Sequence, residues 1–313
     1  MPSKKPSLDD LVEKGVIRKG SDERFIIRRI PFGIPDLDLV INGGVPRSRI
    51  TILTGEYSCG KTFLIQLLMK HALEEELQVV YIDAERTYDP VWWEQIGIDT
   101  EKILIAQPTT GDEAVNIVDS LASGGVDVIA VDSLAALVPA EVLERKAEEK
   151  LIGAHARLIN NLMQKMLALN PSSALVCTNQ LRSSLGLGPM DTMPGGRGQM
   201  FFSSLILRVH REGWLEEKGK RVGFNMRVVV RKSKVGTPWK ECTLPFRFRG
   251  DIDLLALLVE RALEANIIKQ TGPWYTVLDQ EKKLGRNTIM DDLRQDEELK
   301  KRVQVALGDY ADG

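Results

Sequence analysis

Short apolar runs recur along the middle of the chain, and each is followed by a longer stretch with helical spacing. "ITILT" (50–54), "QVVYIDA" (78–84), "KILIAQ" (102–107), "DVIAVDS" (127–133) and "ALVCTNQ" (174–180) are nearly continuous and rich in β-branched residues. Runs of that kind predict strands buried on both faces. Between them, "TFLIQLLMKHALEEE", "PVWWEQIG", "DEAVNIVDSLASG" and "LIGAHARLINNLMQKMLAL" predict helices. Such alternation predicts an α/β core with a mostly parallel central sheet covered on both sides.

The pattern changes after Phe201. "SLILRVHR", "FNMRVVVRKSK" and "KECTLPFRFR" read as antiparallel strands, with "EEKGKR" (216–221) as a hairpin turn. From Asp253, "DLLALLVERALEANI" predicts a helix that opens a small α/β tail. Near the start, "SLDDLVEKG" predicts a short helix with Ser7 as N-cap and Gly15 as its stop. The expected organisation is an N-terminal segment over 1–30, a core over 31–252 and a small C-terminal domain over 253–313. Within the core, "RSSLGLGPMDTMPGGRGQ" (182–199) lacks periodicity and is rich in glycine. Loops that long in compact domains are usually functional or mobile.

One stretch carries explicit chemistry. "GEYSCGKT" follows a predicted strand and opens a predicted helix, so Gly55-x4-Gly60-Lys61-Thr62 has the P-loop pattern in its proper setting. The loop Gly55, Glu56, Tyr57, Ser58, Cys59, Gly60, Lys61 and Thr62 would wrap a nucleoside triphosphate with backbone amides and a helix N-terminus. Lys61 would reach the β- and γ-phosphates, and Thr62 would ligate Mg²⁺. The pattern alone does not separate kinases, GTPases, motors and recombinases.

Asp132, ending an apolar strand, is the expected second residue of the Mg²⁺ shell. Asp127 lies near the start of that strand, away from the edge where ligands bind. Glu85, just past "VVYIDA", is placed to polarise a water for attack on the γ-phosphate. Asp83 competes with it on pattern, and a salt bridge to Arg86 is the plain alternative. Cys59, inside the loop, is read first as a tolerated small residue, with sensitivity to thiol reagents as the alternative.

Composition changes this picture only locally. Hydrophobic residues are 43%, charged residues 27%, and the net charge of −2 carries no global sign of nucleic-acid binding. Residues 181–240, however, hold twelve Lys/Arg against four Asp/Glu, which predicts a concentrated basic surface. Three scattered cysteines suit neither a disulfide framework nor a zinc site. No signal peptide and no membrane-length apolar run is evident, so a cytoplasmic protein is expected.

Taken in order, "GEYSCGKT", "YIDAERTYDP", "VDVIAVDSLAALVP", "TNQLR", "PGGRGQMFFSS" and "VRKSKVGTP" resemble the bacterial RecA family of homologous recombinases. The resemblance runs from about Gly15 to "GPWYTV" near the C-terminus. It implies a RecA-type ATPase core, a short N-terminal oligomerisation segment and a small C-terminal domain. It implies Glu85 as the residue activating water, Asp89 as a contact of the adenine amino group and Trp92 as a stacking partner for the base. Gln180 resembles the sensor of the γ-phosphate. Lys232 and Lys234 resemble a lysine pair that reaches the neighbouring protomer's ATP.

Two loops would bind DNA. The first is similar at Ile152 and Gly153, with Arg157 behind it. The second is similar at Arg182, Leu185, Gly195, Gly196 and Arg197. Gln164 and Met200 stand where the family carries basic residues. The implied activity is a DNA-dependent ATPase that forms ATP–Mg²⁺ filaments on single-stranded DNA and exchanges strands with homologous duplex DNA.

Overall fold

The computed structural model describes residues 7–144, 153–169, 171–181 and 193–308. The chain opens with α1 (Leu8–Glu13), where Ser7 and Asp10 form a reciprocal capping box. Strand β1 (Arg29–Ile30), helix α2 (Pro35–Val40) and β2 (Val45–Pro46) lead into the core. Next come β3 (Ile50–Gly55), α3 (Lys61–Glu74), β4 (Val79–Asp83), α4 (Pro90–Gln95), β5 (Leu104–Ala106) and α5 (Gly111–Ser123). Then follow β6 (Val128–Asp132), α6 (Ala140–Leu143), α7 (Ala154–Leu169), β7 (Ala174–Gln180) and α8 (Gly198–Phe202). The last core strands are β8 (Leu205–Glu217), β9 (Lys220–Ser233), β10 (Glu241–Arg247) and β11 (Asp251–Ile252). The C-terminal part is α9 (Leu254–Glu264), β12 (Ile268–Thr271), β13 (Trp274–Val277), β14 (Lys283–Leu284), α10 (Arg286–Gln295) and α11 (Glu297–Ala306).

Nine strands form one sheet in the order β11-β10-β9-β8-β3-β7-β6-β4-β5. The apolar runs become strands because both faces are covered. On β4, Val79 and Tyr81 face one core with Phe63, Leu64 and Leu68 of α3 and Trp93 of α4, while Val80 and Ile82 face the other with α5 and α7. Strand side chains alternate between faces, so a run without polar interruption serves two helical layers at once.

The strands after Phe201 are not a separate antiparallel layer. Strand β8 pairs parallel with β3 as well as antiparallel with β9, so the hairpin continues the parallel sheet. The expected six-residue turn is also shorter. Glu216 pairs with Arg221 and Glu217 with Lys220, leaving Lys218 and Gly219 as the turn, both at positive φ. Two left-handed residues twist in the sense that two-residue hairpins require. After Asp253, a second core gathers Leu258, Val259, Ile268, Val277, Ile289, Leu293, Leu299 and Val303 around the small sheet β12-β13-β14. Among the described residues, no helix is long and apolar enough to cross a membrane.

Candidate active site

Strand β3 is buried along its whole length and ends at Gly55. The chain then loops out and re-enters as α3. Glycine is demanded at both ends of this loop, by packing at Gly55 and by backbone conformation at Gly60: a Cβ on Gly55 would sit 2.3 Å from Val209 O. On Gly60, whose φ is +98°, one would sit 2.2 Å from Met226 Cε. No side chain caps α3, so its first-turn amides open onto the loop without a protein side-chain acceptor. Unpaired amides at a helix start are ready donors for phosphate oxygens. Lys61 Nζ folds back over the same loop and donates to Glu56 O at 2.6 Å and Gly55 O at 3.3 Å. Glu56, Tyr57 and Ser58 are exposed, whereas Cys59 is buried and its thiol lies 3.1 Å from Glu56 O. Burial pushes the Cys59 thiol up despite the nearby Lys61 ammonium. Sensitivity to thiol reagents is thus opposed twice, by access and by acidity, which favours the reading of Cys59 as a tolerated small residue.

Asp132 stands at the tip of β6 and is buried. Its Oδ2 accepts from Thr62 Oγ1 at 2.6 Å, joining the two residues expected to share a divalent cation. Among the described residues, no group of three or more His, Cys, Asp or Glu could hold a metal by itself. A hydroxyl, one carboxylate and nucleotide phosphates form the oxygen donor set that suits Mg²⁺. Tyr81 Oη also donates to Oδ2, at 3.0 Å, and burial together with Asp132 keeps that phenol protonated. Asp127, by contrast, sits at the other end of the strand, paired with Arg47 and accepting from Gln78 N at 2.9 Å.

Geometry separates the two acids after β4. Asp83 is fully buried and accepts from Thr87 N and Tyr88 N, each at 3.0 Å, and from Gln107 Nε2 at 2.9 Å. It organises the loop and has no access to solvent. Glu85 is exposed, and Ser133 Oγ donates to its Oε1 at 2.5 Å. Arg86 donates instead to the carbonyls of Gln107 and Pro108. Further along, Asp89 caps α4 by accepting from Val91 N at 3.0 Å. Trp92 Nε1 donates to Gln66 Oε1 on α3 at 3.3 Å, and its ring lies beside Gly250, where a Cβ would meet Cη2 at 3.0 Å.

Gln180 is the register partner of Gly55, and Leu181 N donates to Gly55 O at 3.1 Å. The segment that follows β7 therefore leaves directly from the phosphate loop. Residues 193–199 are tied back to β7 through Asn179 and Gln199, both wholly buried. Asn179 Nδ2 donates to Gln199 Oε1 at 2.7 Å and Pro194 O at 3.0 Å, and Gln199 Nε2 donates to Pro194 O at 2.6 Å. Gly195 (φ +93°) is buried with its Cβ position 2.9 Å from Ile159 Cγ1, and Gly196 (φ +77°) lies against Ala156. Their glycine requirement thus comes from α7 and backbone sign. Arg197 is exposed at the start of α8. Gly153 (φ +81°) precedes α7, and Arg157 Nη2 meets Glu141 Oε1 at 2.9 Å. Ile152, Arg182 and Leu185 lie outside the described residues.

Lys232 and Lys234 are not brought to this cluster. Lys232 pairs with Ile206 near the start of β8, level with the start of β3, whereas Gly55 is at the end of β3. Lys232 Nζ donates to Met200 O and, at 2.8 Å, to Ser203 O; Lys234 Nζ donates to Phe201 O at 2.7 Å. Both cap the C-terminal end of α8, where carbonyls favour cations. Burial and the adjacent Lys234 push the Lys232 ammonium down.

The sequence argument missed Tyr81, Ser133, Thr178, Asn179 and Gln199. Tyr81, Thr178 and Asn179 share one signal, a polar group within an otherwise apolar strand where burial demands a partner, whereas Ser133 follows β6 and Gln199 lies on α8.

A mostly parallel sheet with a glycine loop feeding α3, and a carboxylate bonded to that helix's threonine, defines a P-loop nucleotide-binding protein. The family profile described as "RecA N-terminal domain" matches residues 8–253. The chain is 34% identical to Protein RecA of Thermus aquaticus over 95% of its own length and 89% of that protein. It is 36% identical to Protein RecA of Aquifex aeolicus over 92% and 86%, and 31% identical to that of Chlorobaculum tepidum over 98% and 91%. The chain belongs to the RecA family. It is a recombinase and DNA-dependent ATPase of recombination and repair, a nucleotide- and DNA-binding protein of a filament-forming family.

Proposed function

We propose that this protein binds ATP with Mg²⁺ at Gly55–Thr62 and Asp132 and polymerises head to tail on single-stranded DNA. The filament then pairs that strand with homologous duplex DNA and exchanges strands, with ATP held between protomers. Residues 1–30 serve oligomerisation, 31–252 form the ATPase core with its DNA loops, and 253–313 form the small C-terminal domain. Lys61 and the first amides of α3 hold the phosphates. Thr62 and Asp132 hold Mg²⁺, which when bound offsets phosphate charge. Asp89 and Trp92 receive the adenine. Glu85 takes the proton of the attacking water, and Gln180 relays the γ-phosphate to the loop after β7. Ile152, Gly153, Arg157, Arg182, Leu185, Gly195, Gly196 and Arg197 contact the strand, largely through its backbone and therefore with strong salt dependence.

The observation that carries this reading is the register of Lys232. Within one protomer the lysine pair lies at the opposite end of the sheet from Gly55. On this reading the lysine pair serves the ATP site of a second copy, and a head-to-tail contact that does not close generates a helical filament. Binding of ATP joins protomers and tightens the filament on DNA, and hydrolysis loosens it.

Strand exchange with wild type, Lys61→Ala and Glu85→Gln tests the proposal. Wild type is expected to exchange strands, Lys61→Ala to fail at filament assembly, and Glu85→Gln to assemble but turn over slowly. Strong DNA binding by wild type without homologous pairing would replace the recombinase reading with that of a filament-modulating ATP-binding protein.

A further inference from the structure

Asp132 accepts hydrogen bonds from three hydroxyls, and one of them belongs to the phosphate loop. Thr62 Oγ1 and Tyr81 Oη both donate to Oδ2, at 2.6 and 3.0 Å, while Thr178 Oγ1 donates to Oδ1. Tyr81 lies on β4 and Thr178 on β7, the strands that flank β6 on either side. Both are buried, with 1% and 0% of their surface exposed. A buried hydroxyl is costly without a partner, and an apolar side chain of the same shape would fill either position at lower cost. The ring of Tyr81 packs edge-on against Trp93 at 4.9 Å, so packing and hydrogen bonding are separable there.

An ionised carboxylate offers roughly four lone-pair directions. Here three are taken, one by the loop and two by the neighbouring strands. The two strand hydroxyls hold the carboxylate plane against rotation. With that plane held, Thr62 keeps its proton on Asp132 and its oxygen lone pairs turned away from Asp132.

We infer that Tyr81 and Thr178 are positioning residues for the divalent cation of the ATPase site, acting through Asp132 to set its affinity for Mg²⁺. The inference rests on the reading of Thr62 and Asp132 as the cation-holding pair. Outer partners of ligating groups commonly change metal affinity by about 10–100-fold when removed.

The test is a Mg²⁺ titration of fluorescent ATP-analogue binding, followed by anisotropy, in Tyr81→Phe, Thr178→Val, Thr178→Ser and Asp132→Asn. Tyr81→Phe and Thr178→Val are expected to raise the half-saturating Mg²⁺ concentration about tenfold each. At saturating Mg²⁺, binding and turnover should return close to wild type. Thr178→Ser, which restores the hydroxyl, should bring the midpoint back.

Unchanged midpoints in Tyr81→Phe and Thr178→Val, with thermal melts showing folded protein, overturn the inference. A loss of binding equal at every Mg²⁺ concentration, no better in Thr178→Ser than in Thr178→Val, also overturns it, because that is a packing defect. Asp132→Asn separates the two levels. If it leaves the Mg²⁺ midpoint unmoved, the cation-site reading itself fails. If it shifts the midpoint while the hydroxyl variants do not, only the positioning role fails.

Discussion

Ser133 Oγ donates to Glu85 Oε1 at 2.5 Å, joining the residue after Asp132 to the exposed acid beyond β4. The same loop is pinned through its backbone, since Ala84 N and Glu85 N both donate to Asp132 O. The acid and the carboxylate that binds Thr62 are therefore held by one dipeptide, Asp132-Ser133. Removing the hydroxyl frees one carboxylate oxygen without touching the phosphate loop. Ser133→Ala should lower ATP turnover about tenfold with nucleotide affinity unchanged, because orientation is lost and the base is kept. Glu85→Gln should cost more, about 10²–10³-fold in turnover. Steady-state ATPase kinetics alongside nucleotide-binding titrations check both.

Complementation between protomers tests where the lysines act. A Lys232→Ala protomer keeps Glu85, and a Glu85→Gln protomer keeps Lys232. Each alone should be nearly inactive. Mixed in equal amounts on single-stranded DNA, they should recover about a quarter of wild-type turnover, the share of correctly ordered neighbours in a random head-to-tail polymer. Absence of recovery would place the lysines' action within their own protomer. Lys232→Ala should also lower the melting temperature, since its ammonium caps the carbonyls of Met200 and Ser203.

Asn179 links the nucleotide end of β7 to the far side of the following loop through Gln199 and Pro194. Its Oδ1 also accepts from Gln180 N at 2.9 Å. Asn179→Ala leaves the buried Gln199 amide short of a partner, a loss of roughly 1–3 kcal/mol. DNA stimulation of the ATPase should fall several-fold, whereas nucleotide binding without DNA should persist. Equal loss with and without DNA would make Asn179 a purely structural residue.

Asp38 supplies a pH dependence. Burial raises its carboxyl from 3.8 to about 6, although Phe32 N and Ile34 N donate to it and His71 lies close enough to oppose the rise. A carboxyl raised in the folded state binds its proton more tightly there than in the unfolded chain. Its stabilising contribution is thus full below pH ~4 and is lost as pH rises through about 6. That change amounts to roughly 3 kcal/mol at most. The melting temperature of wild type minus that of Asp38→Asn should fall between pH 4 and 7 and then level off. A difference that is flat over this range would show that Asp38 titrates at its ordinary value.

Much of this was legible from residue order. The unbroken runs around Ile52, Tyr81, Ala130 and Val176 require burial on both faces, which only a parallel sheet under two helical layers provides. Gly55, Gly60, Lys61 and Thr62 specify a phosphate loop because backbone sign, a cation and a hydroxyl are local properties. Asp132 was legible for the same reason, standing where an apolar run ends. The ranking of Glu85 over Asp83 was not legible from pattern, since one ends and the other follows the same strand. Tertiary structure separates them by burying Asp83 under Thr87, Tyr88 and Gln107.

The sequence by itself determined the layers of the core, the phosphate loop and the family motifs, because those depend on periodicity and on neighbours along the chain. Only the tertiary structure decided which strands lie side by side. Strand order sets Tyr81 and Thr178 on either side of Asp132 and Gln180 beside Gly55. It also carries Lys232 to the opposite end of the sheet from the loop it would serve in a neighbour. Those relations are contacts between residues far apart in the chain, and no local pattern encodes them.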